Sequence, residues 1–290
     1  MNSVDSLEAL QIIRIHGWEQ YGWLRHGFST RRGGVSSVYG VNTLNLGWTN
    51  EDEPSAVAEN RRRFVAAVAG EADGDSAPKL VGVRQIHSAN VHAIRREDGA
   101  LEGKLAAADG KAVLEGDGLM TAVPGIMLGV GTADCVPVLI VDISKRVVAA
   151  FHAGWRGTVA RIVEQGVNRM RLEYGSHPDD LVAAIGPSIA SCCYSVGEEV
   201  RTEFASSFSY ADKLFRSVNH PESSGMKIHL DLWEANRRQL LDAGLNEAQI
   251  TVVDECTACS RDAHRTRRYF SHRAEQGVAG RMLNVIGIAR

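Results

Sequence analysis

IMLGVGTADCVPVLIVDISKRVVAAFHAGWRGTVARIVEQGVNRM, residues 126–170, is the stretch whose reading decides the fold. Two apolar runs, Ile126 to Val130 and Val136 to Val141, read as buried strands separated by Gly131, Thr132, Ala133, Asp134 and Cys135. A third, Val147 to Phe151, runs directly into His152-Ala-Gly-Trp-Arg-Gly157, after which Val159, Ile162, Val163, Val167 and Met170 recur on one helical face. The order is strand, tight polar turn, helix. Downstream, Leu181 to Ile185 is a short strand ending in Gly186 and Pro187, and Ile250 to Val253 and Met282 to Ile288 complete the strands. A helix from about Asp231 to Ala243 has Asp231 and Glu234 in capping-box spacing and Gly244 just past its end. Upstream, Pro54 suits a first helical turn, and Val57, Phe64, Val65 and Val68 keep helical spacing until Gly70. Extended runs follow at Leu80 to Ile86 and Ala89 to Ile94, broken by His87 and Ser88. His26 to Asn50 reads as an unusually long polar loop, of a length that usually signals function. Residues 71–78 read as a linker and 95–116 as a further loop. No internal repeat appears, and the mixture predicts α/β (α+β) layering.

At 290 residues, length alone favours about two domains at roughly 150 residues each, although one α/β unit can run this long. The net charge is −3, and no charge block exceeds Arg61, Arg62 and Arg63, which argues against a general nucleic-acid or membrane-surface binder. No apolar run approaches the roughly 20 residues that span a bilayer. Asp5 and Glu8 stand where a secretory leader would be apolar, so a soluble cytoplasmic protein is expected. Five cysteines, Cys135, Cys192, Cys193, Cys256 and Cys259, are too odd a set for a disulfide framework and raise reactivity or metal binding instead.

His87, Cys135 and His152 each sit where a strand gives way to a turn. Two imidazoles and a thiolate are zinc ligands that leave a tetrahedral ion one open position. A buried apolar cysteine and backbone-bonded histidines are the alternative. Cys256 and Cys259 form a CxxC that is either half a structural metal site, a redox pair or incidental, and the adjacent Cys192 and Cys193 are equally open. The GWRGT turn at 154–158 places Arg156 at a helix start suited to an anion, or else its glycines only let the turn close. Arg31, Arg32 and Arg61 could add to a phosphate surface or be solvated charge. Asp134 abuts Cys135 and could orient a ligand or move a proton, and Asp117 stands in a Gly-flanked turn; turn chemistry also explains both.

Taken together, FSTRRGGVS (28–36), LNLG (44–47), ENRRRF (59–64), RQIHSANV (84–91), GTADCVPVL (131–139), FHAGWRGT (151–158), IGPSIASCCYSVGEEV (185–200) and GRM (280–282) resemble the motifs of the YfiH or laccase-domain family, in the same order. Its members are named variously multicopper polyphenol oxidoreductase, purine nucleoside phosphorylase and peptidoglycan editing factor. The resemblance implies a single domain over 1–290 in a four-layer α/β/β/α arrangement with mixed sheets. It implies zinc on His87, Cys135 and His152, and a cleft lined by Arg31 and Asn45. Two departures stand out: YFSHRAEQGVAGR has His272 where the family usually has tyrosine and Ala274 where it usually has arginine, and CTAC adds Cys259 to the family's CTY.

The leading expectation is a zinc enzyme acting on a purine nucleoside with phosphate, with adenosine deamination as a companion activity. Deamination has a direct physical account, since zinc lowers the pKa of bound water toward about 7 and so supplies a nucleophile for C6 of adenine. Phosphorolysis needs phosphate held beside the anomeric carbon, a task for Arg31, Asn45, Arg61 and Arg156, with Arg31, Asp134 and Cys135 as the catalytic set. Copper is a weaker expectation, because multicopper oxidation needs many histidines and only 10 occur, without HxH pairs. A third reading makes Cys135 a nucleophile and His152 its base in an amide hydrolase that edits peptidoglycan precursors. A non-enzymatic binding module is the fourth. The sequence leaves monomer and homodimer open.

Overall fold

In the computed structural model, which describes residues 10–70, 78–96, 105, 110–219 and 226–290, the strands of the quoted stretch divide between two stacked mixed sheets. One sheet has the order β1 (Ile12–Ile13), β2 (Leu24–Ser29), β15 (Met282–Ile288), β7 (Ile126–Thr132), β4 (Lys79–Val81). Its pairs are antiparallel except β4 with β7. The other runs β14 (Ile250–Val252), β10 (Leu181–Ile185), β8 (Val136–Asp142), β9 (Val147–Ala153), β6 (Gly118–Thr121), β5 (Val91–Ile94). Here β10 with β14 and β5 with β6 are the parallel pairs. A small antiparallel sheet of β11 (Ser195–Val196), β13 (Met226–Leu230) and β12 (Phe215–Asn219) stands apart.

Alternation along each strand shows the layering, because successive side chains point to opposite faces. Ile126, Leu128 and Val130 of β7 pack with Leu139 and Val141 of β8 and Val148 and Ala150 of β9 between the two sheets. Met127, with Leu283 and Val285 of β15, faces Phe64, Val65 and Val68 of α1 (Pro54–Ala69). The opposite faces of β8 and β9, Val138, Ile140, Ala149 and Phe151, bury against Ile162, Val163, Val167 and Met170 of α3 (Ile162–Tyr174) and Leu240 of α5 (Leu232–Asp242). Helix, sheet, sheet, helix is the resulting order, as the resemblance implies. Phe151 is the knob of the second interface: a Cβ on Gly166 would lie 2.4 Å from its ring. Fully burying such a side chain stabilises by about 1.5–3 kcal/mol.

His26 to Asn50, expected as loop, contains the end of β2 and all of β3 (Arg32–Ser36). Its polar residues concealed the strands because they are paired inside rather than solvated. Asn60 of α1 accepts from Val35 N at 2.8 Å and donates to Asn45 O and Ser36 Oγ, both at 2.9 Å. The apolar run from Leu80 stops pairing as a strand at Val81, with Arg84 making only an isolated bridge to Glu115. The helix after His152 is interrupted: α2 (Trp155–Val159) ends at Ala160, and Arg161, at φ 59°, redirects the chain into α3. Asp231 caps α5 by accepting from Glu234 N at 3.0 Å. Helix α4 (Glu198–Ser207) and the small sheet carry weak periodicity and were not expected. Of the linker expected at 71–78 all but Pro78, and most of 97–109, lie outside the described residues. No described helix is long and apolar enough to cross a membrane.

His26 is buried on β2, with its Nε2 accepting from Ile15 N at 2.8 Å, so the imidazole must be neutral. Burial, reinforced by Arg14, pushes its pKa down to about 4. The unfolded chain therefore binds this proton more tightly. Stability from this group is complete above about pH 6.5 and falls as pH drops toward 4, by at most about 1.4 kcal/mol per pH unit. Chemical denaturation at pH 7 and pH 5 should show a loss in the wild type that His26→Gln reduces.

Candidate metal centre

The alternation that buries Val148 and Ala150 between the sheets carries His152 to the same seam, at the end of β9 opposite Pro137. Cys135 occupies the crossover by which the chain leaves β7 in one sheet and enters β8 in the other. His87 comes from the segment between β4 and β5. The nitrogen and sulfur donors of the three residues all lie within 4.8 Å of one another. Cys135 Sγ is 4.0 Å from His87 Nε2, and the two imidazole rings meet edge to face at 4.9 Å. Burial is graded: His152 buried, Cys135 half-buried, His87 exposed. The triad is therefore closed on one side and open to solvent on the other.

Asp117, just before β6, holds this arrangement together and is fully buried. Its Oδ1 pairs with His152 Nδ1 at 2.8 Å and accepts from His87 N at 3.0 Å. Its Oδ2 accepts from Ser88 N at 2.6 Å, Ser88 Oγ at 2.8 Å and Ile86 N at 3.3 Å. Burial works to raise the Asp117 pKa, but the His152 and Ser88 donors overcome it and hold the carboxyl at about 2. With Nδ1 committed to Asp117, His152 offers Nε2 to the triad, the carboxylate–histidine support that orients metal-bound imidazoles. Burial also opposes the Cys135 thiolate, yet the facing His152 and His87 bring the thiol below its ordinary range. The reciprocal attraction raises His152 above the usual imidazole value despite burial.

His87 and Asp134 hold left-handed backbone conformations, φ 59° and 90°, which cost a non-glycine residue of order 1–3 kcal/mol each. Asp117 offsets the first through His87 N. The second is braced from three sides: Thr257 Oγ1 and Arg273 N each donate to the Asp134 carboxylate at 2.7 Å, and Ile189 N donates to its carbonyl at 2.9 Å. Both Asp134 carboxylate oxygens are thus engaged away from Cys135.

Gly154 has an ordinary extended conformation, so the turn itself does not require glycine. Close approach does: a Cβ there would meet His87 Cδ2 at 3.0 Å and Cys135 Sγ at 3.1 Å. Arg156 is exposed, its guanidinium 4.3 Å over the Trp155 ring. It lines an open cleft of about 820 Å³ shared with Trp155, Tyr194, Glu198, Arg201, Lys227 and Arg273. Arg31 lies in a different groove, bonded to Glu275 and to Tyr39 O, with its guanidinium 4.7 Å over Phe270. Asn45 is fully buried, donating to Asp52 at 2.7 Å and accepting from Arg281 N at 2.9 Å. Arg61 donates to Leu46 O at 2.7 Å and stacks 5.5 Å over Trp48. The structure therefore brings together His87, Cys135 and His152, with Asp134 beside them, while Asn45 and Arg61 serve the polar loop. Sequence reasoning underrated Asp117, whose distance from its partners in the chain left only a turn signal. It missed Thr257, Tyr194 and Arg273 altogether. Tyr194 keeps its proton, its pKa pushed up to about 12 by burial and by the negative charge of Cys135.

A zinc ion needs bonds of about 2.0–2.1 Å to nitrogen and about 2.3 Å to sulfur, which places neighbouring ligand atoms roughly 3.5 Å apart. Donors within 4.8 Å, with an oriented imidazole and a thiol disposed to ionise, fit that requirement.

Residues 25–289 match the family described as multi-copper polyphenol oxidoreductase laccase, and the chain belongs to that family, whose members include proteins named YfiH and YlmD. It is 37% identical over 265 residues to a purine nucleoside phosphorylase of Deinococcus radiodurans, covering 91% of this chain and 89% of the relative. It is 36% identical over 233 residues to adenosine deaminase RL5 of an unknown prokaryotic organism, covering 80% and 84%. The crystal structure of the Bacillus licheniformis hypothetical protein YfiH superposes with a TM-score of 0.80 at 33% identity, covering 97% of each chain.

Gly154→Ala should push His87 and Cys135 apart and weaken metal binding by the 10–100-fold typical of disturbed ligand support. Competitive titration with a chromophoric zinc chelator measures this, and unchanged affinity would show that the triad tolerates the methyl group.

Proposed function

We propose that this chain is a cytoplasmic zinc-dependent purine nucleoside phosphorylase, built as a single domain, that also deaminates adenosine. The convergence of His87, Cys135 and His152 at the seam of the two sheets, open on the side of His87, is the observation that carries the reading. The names of the relatives support the substrate class. Zinc, when bound by the triad, supplies a Lewis acid with a free coordination position.

The chain's own groups supply binding and orientation. Trp155 and Tyr194 present aromatic surfaces along the cleft where a purine can stack, and Arg156, Arg201, Lys227 and Arg273 line the same cleft, their charge partly offset by Glu198 and Glu199. Of the four residues expected to hold phosphate, Arg156 lines this cleft, whereas Arg31 lines a separate groove. In phosphorolysis a phosphate oxygen bonds to the anomeric carbon as the glycosidic bond breaks, and the departing purine takes up a proton. Held phosphate turns that encounter into an intramolecular one. Asp117 keeps His152 Nε2 aimed into the site throughout, and Asp134 fixes the backbone that presents Cys135. Zinc rather than copper is favoured by the donor set: among the described residues the candidate metal-binding groups are this triad and a cluster of four cysteines, far from the histidine-rich requirement of multicopper oxidation.

A second reading rests on the Cys135–His152 pair itself. A thiol lowered by its imidazole, with Asp117 orienting that imidazole, is also the arrangement of a cysteine nucleophile with its base. Product analysis separates the readings. Adenosine incubated with phosphate should give adenine and ribose 1-phosphate, adenosine without phosphate should give inosine, and Cys135→Ala should lower both by about 10²-fold or more. Full turnover by Cys135→Ala overturns the proposal. Amide cleavage of a peptidoglycan precursor that survives chelation but is lost in Cys135→Ser would install the nucleophile instead.

A further inference from the structure

The other four cysteines lie outside the site described above and have no role in the proposed reaction. Cys192 and Cys193 follow the Gly186-Pro187 turn after β10, and Cys256 and Cys259 follow β14. The two loops run side by side: Ser188 bridges to Cys256, Ser188 N donates to Glu255 O at 3.3 Å, and Thr257 N donates to Ser188 O at 3.1 Å. Their pairing brings together four sulfurs, in two pairs more than sixty residues apart in the chain, within 4.8 Å of one another.

We propose that Cys192, Cys193, Cys256 and Cys259 form a second metal site, a tetrathiolate that binds one zinc ion and clamps the two loops together. The spacing is the first argument. Cys192 Sγ lies 3.6 Å from Cys193 Sγ and 3.7 Å from Cys259 Sγ. Four sulfurs at about 2.3 Å from a tetrahedral zinc are about 3.8 Å from one another. A disulfide would bring two of them to about 2.05 Å, and all four cysteines are free thiols here.

The surroundings are the second argument. Ala190 N donates to Cys256 Sγ at 3.4 Å, a backbone hydrogen bond of the sort that supports a metal-bound sulfur. Arg267 and Arg261 both donate to Ala258 O, within the CTAC turn, at 2.7 and 3.4 Å. Their guanidinium charges flank a site that would carry two negative charges once four thiolates hold one zinc ion. The four thiol protons pass to solvent as the ion binds. Cys192 and Cys259 are exposed while Cys256 is buried, so an ion can enter from water and still be anchored in the interior. Ile189, Ala190, Cys256 and Ala258 form the small apolar cluster beneath it.

The clamp also bears on the first site. Thr257, between Cys256 and Ala258, donates to Asp134, and Ile189, three residues before Cys192, donates to the Asp134 carbonyl. Locking the two loops thereby steadies the strained residue beside Cys135. The extra Cys259 of the CTAC sequence, without an evident use in the sequence alone, becomes the fourth ligand.

The test uses the full chain carrying Cys135→Ala, which disables the first site and makes the result independent of the proposed activity. Elemental analysis after zinc loading and desalting should find one equivalent of zinc, lost on adding Cys259→Ser or, separately, Cys192→Ser at the other exposed ligand. Cobalt(II) chloride titrated into the Cys135→Ala chain should give the intense thiolate-to-cobalt absorption of a four-sulfur site, weakened or abolished in both serine variants. Circular dichroism shows that each variant is folded, and the cobalt spectrum of the Cys135→Ala chain alone decides the matter if one is not. Iron in place of zinc, a cobalt spectrum without the four-sulfur absorption, or an intact mass lighter by the hydrogens of disulfides after purification in air would each overturn the proposal.

Discussion

The carboxylate of Asp117 carries more of this site than any of the three candidate donors does. It is fully buried at the head of β6, and it collects the backbone of residues 86–88 and the imidazole of His152 onto two oxygens. Remove it and three separate things fail together: the segment bearing His87 loses its anchor, His87 loses what offsets its left-handed backbone, and His152 loses the partner that selects its tautomer. A buried carboxylate with this many donors is an expensive group made stable only by complete pairing. The arrangement of the candidate triad is thus set by contacts within the protein itself.

Sheet alternation supplies the rest of the precision. Because β9 sends every second side chain into the space between the sheets, His152 arrives at the seam without any special turn. Because the crossover from β7 to β8 passes from one sheet to the other, Cys135 arrives there as well. Gly154 then admits the close approach of His87 and Cys135. The site is accordingly supported by strands and their turns, while arginine and aromatic side chains line the outer cleft.

Much of this was legible in the sequence, and the illegible parts share a cause. Strands β10 and β15 were read to the residue, and β8 and β9 nearly so, because continuous apolar runs announce strands buried on both faces. The candidate triad stood out in the sequence by residue type, although His87 lies between β4 and β5 rather than at a strand end. Strands β2 and β3 were hidden because their polar residues are paired inside, Ser36 and Asn45 with Asn60 and Ser29 with the backbone of Leu283, so that the stretch reads, residue by residue, like a loop. The same pairing explains why Asn45 and Arg61 are drawn into the loop's own structure. Asp117, Thr257 and Arg273 act through partners between about 30 and 140 residues away, a relation that no local pattern encodes. The four cysteines were visible as two pairs, and only the packing of their loops makes them one cluster.

The position of β15 has a consequence for how the molecule comes into being. Residues 282–288 occupy the middle of their sheet, between β2 and β7, so two strands from the first half of the chain wait, edges bare, for a strand synthesised long after them. Exposed strand edges are templates for unwanted association. A chain lacking that strand would carry Cys135 and His152 without the sheet that backs their seam, and would leave the facing edges of β2 and β7 open to association until the strand arrives.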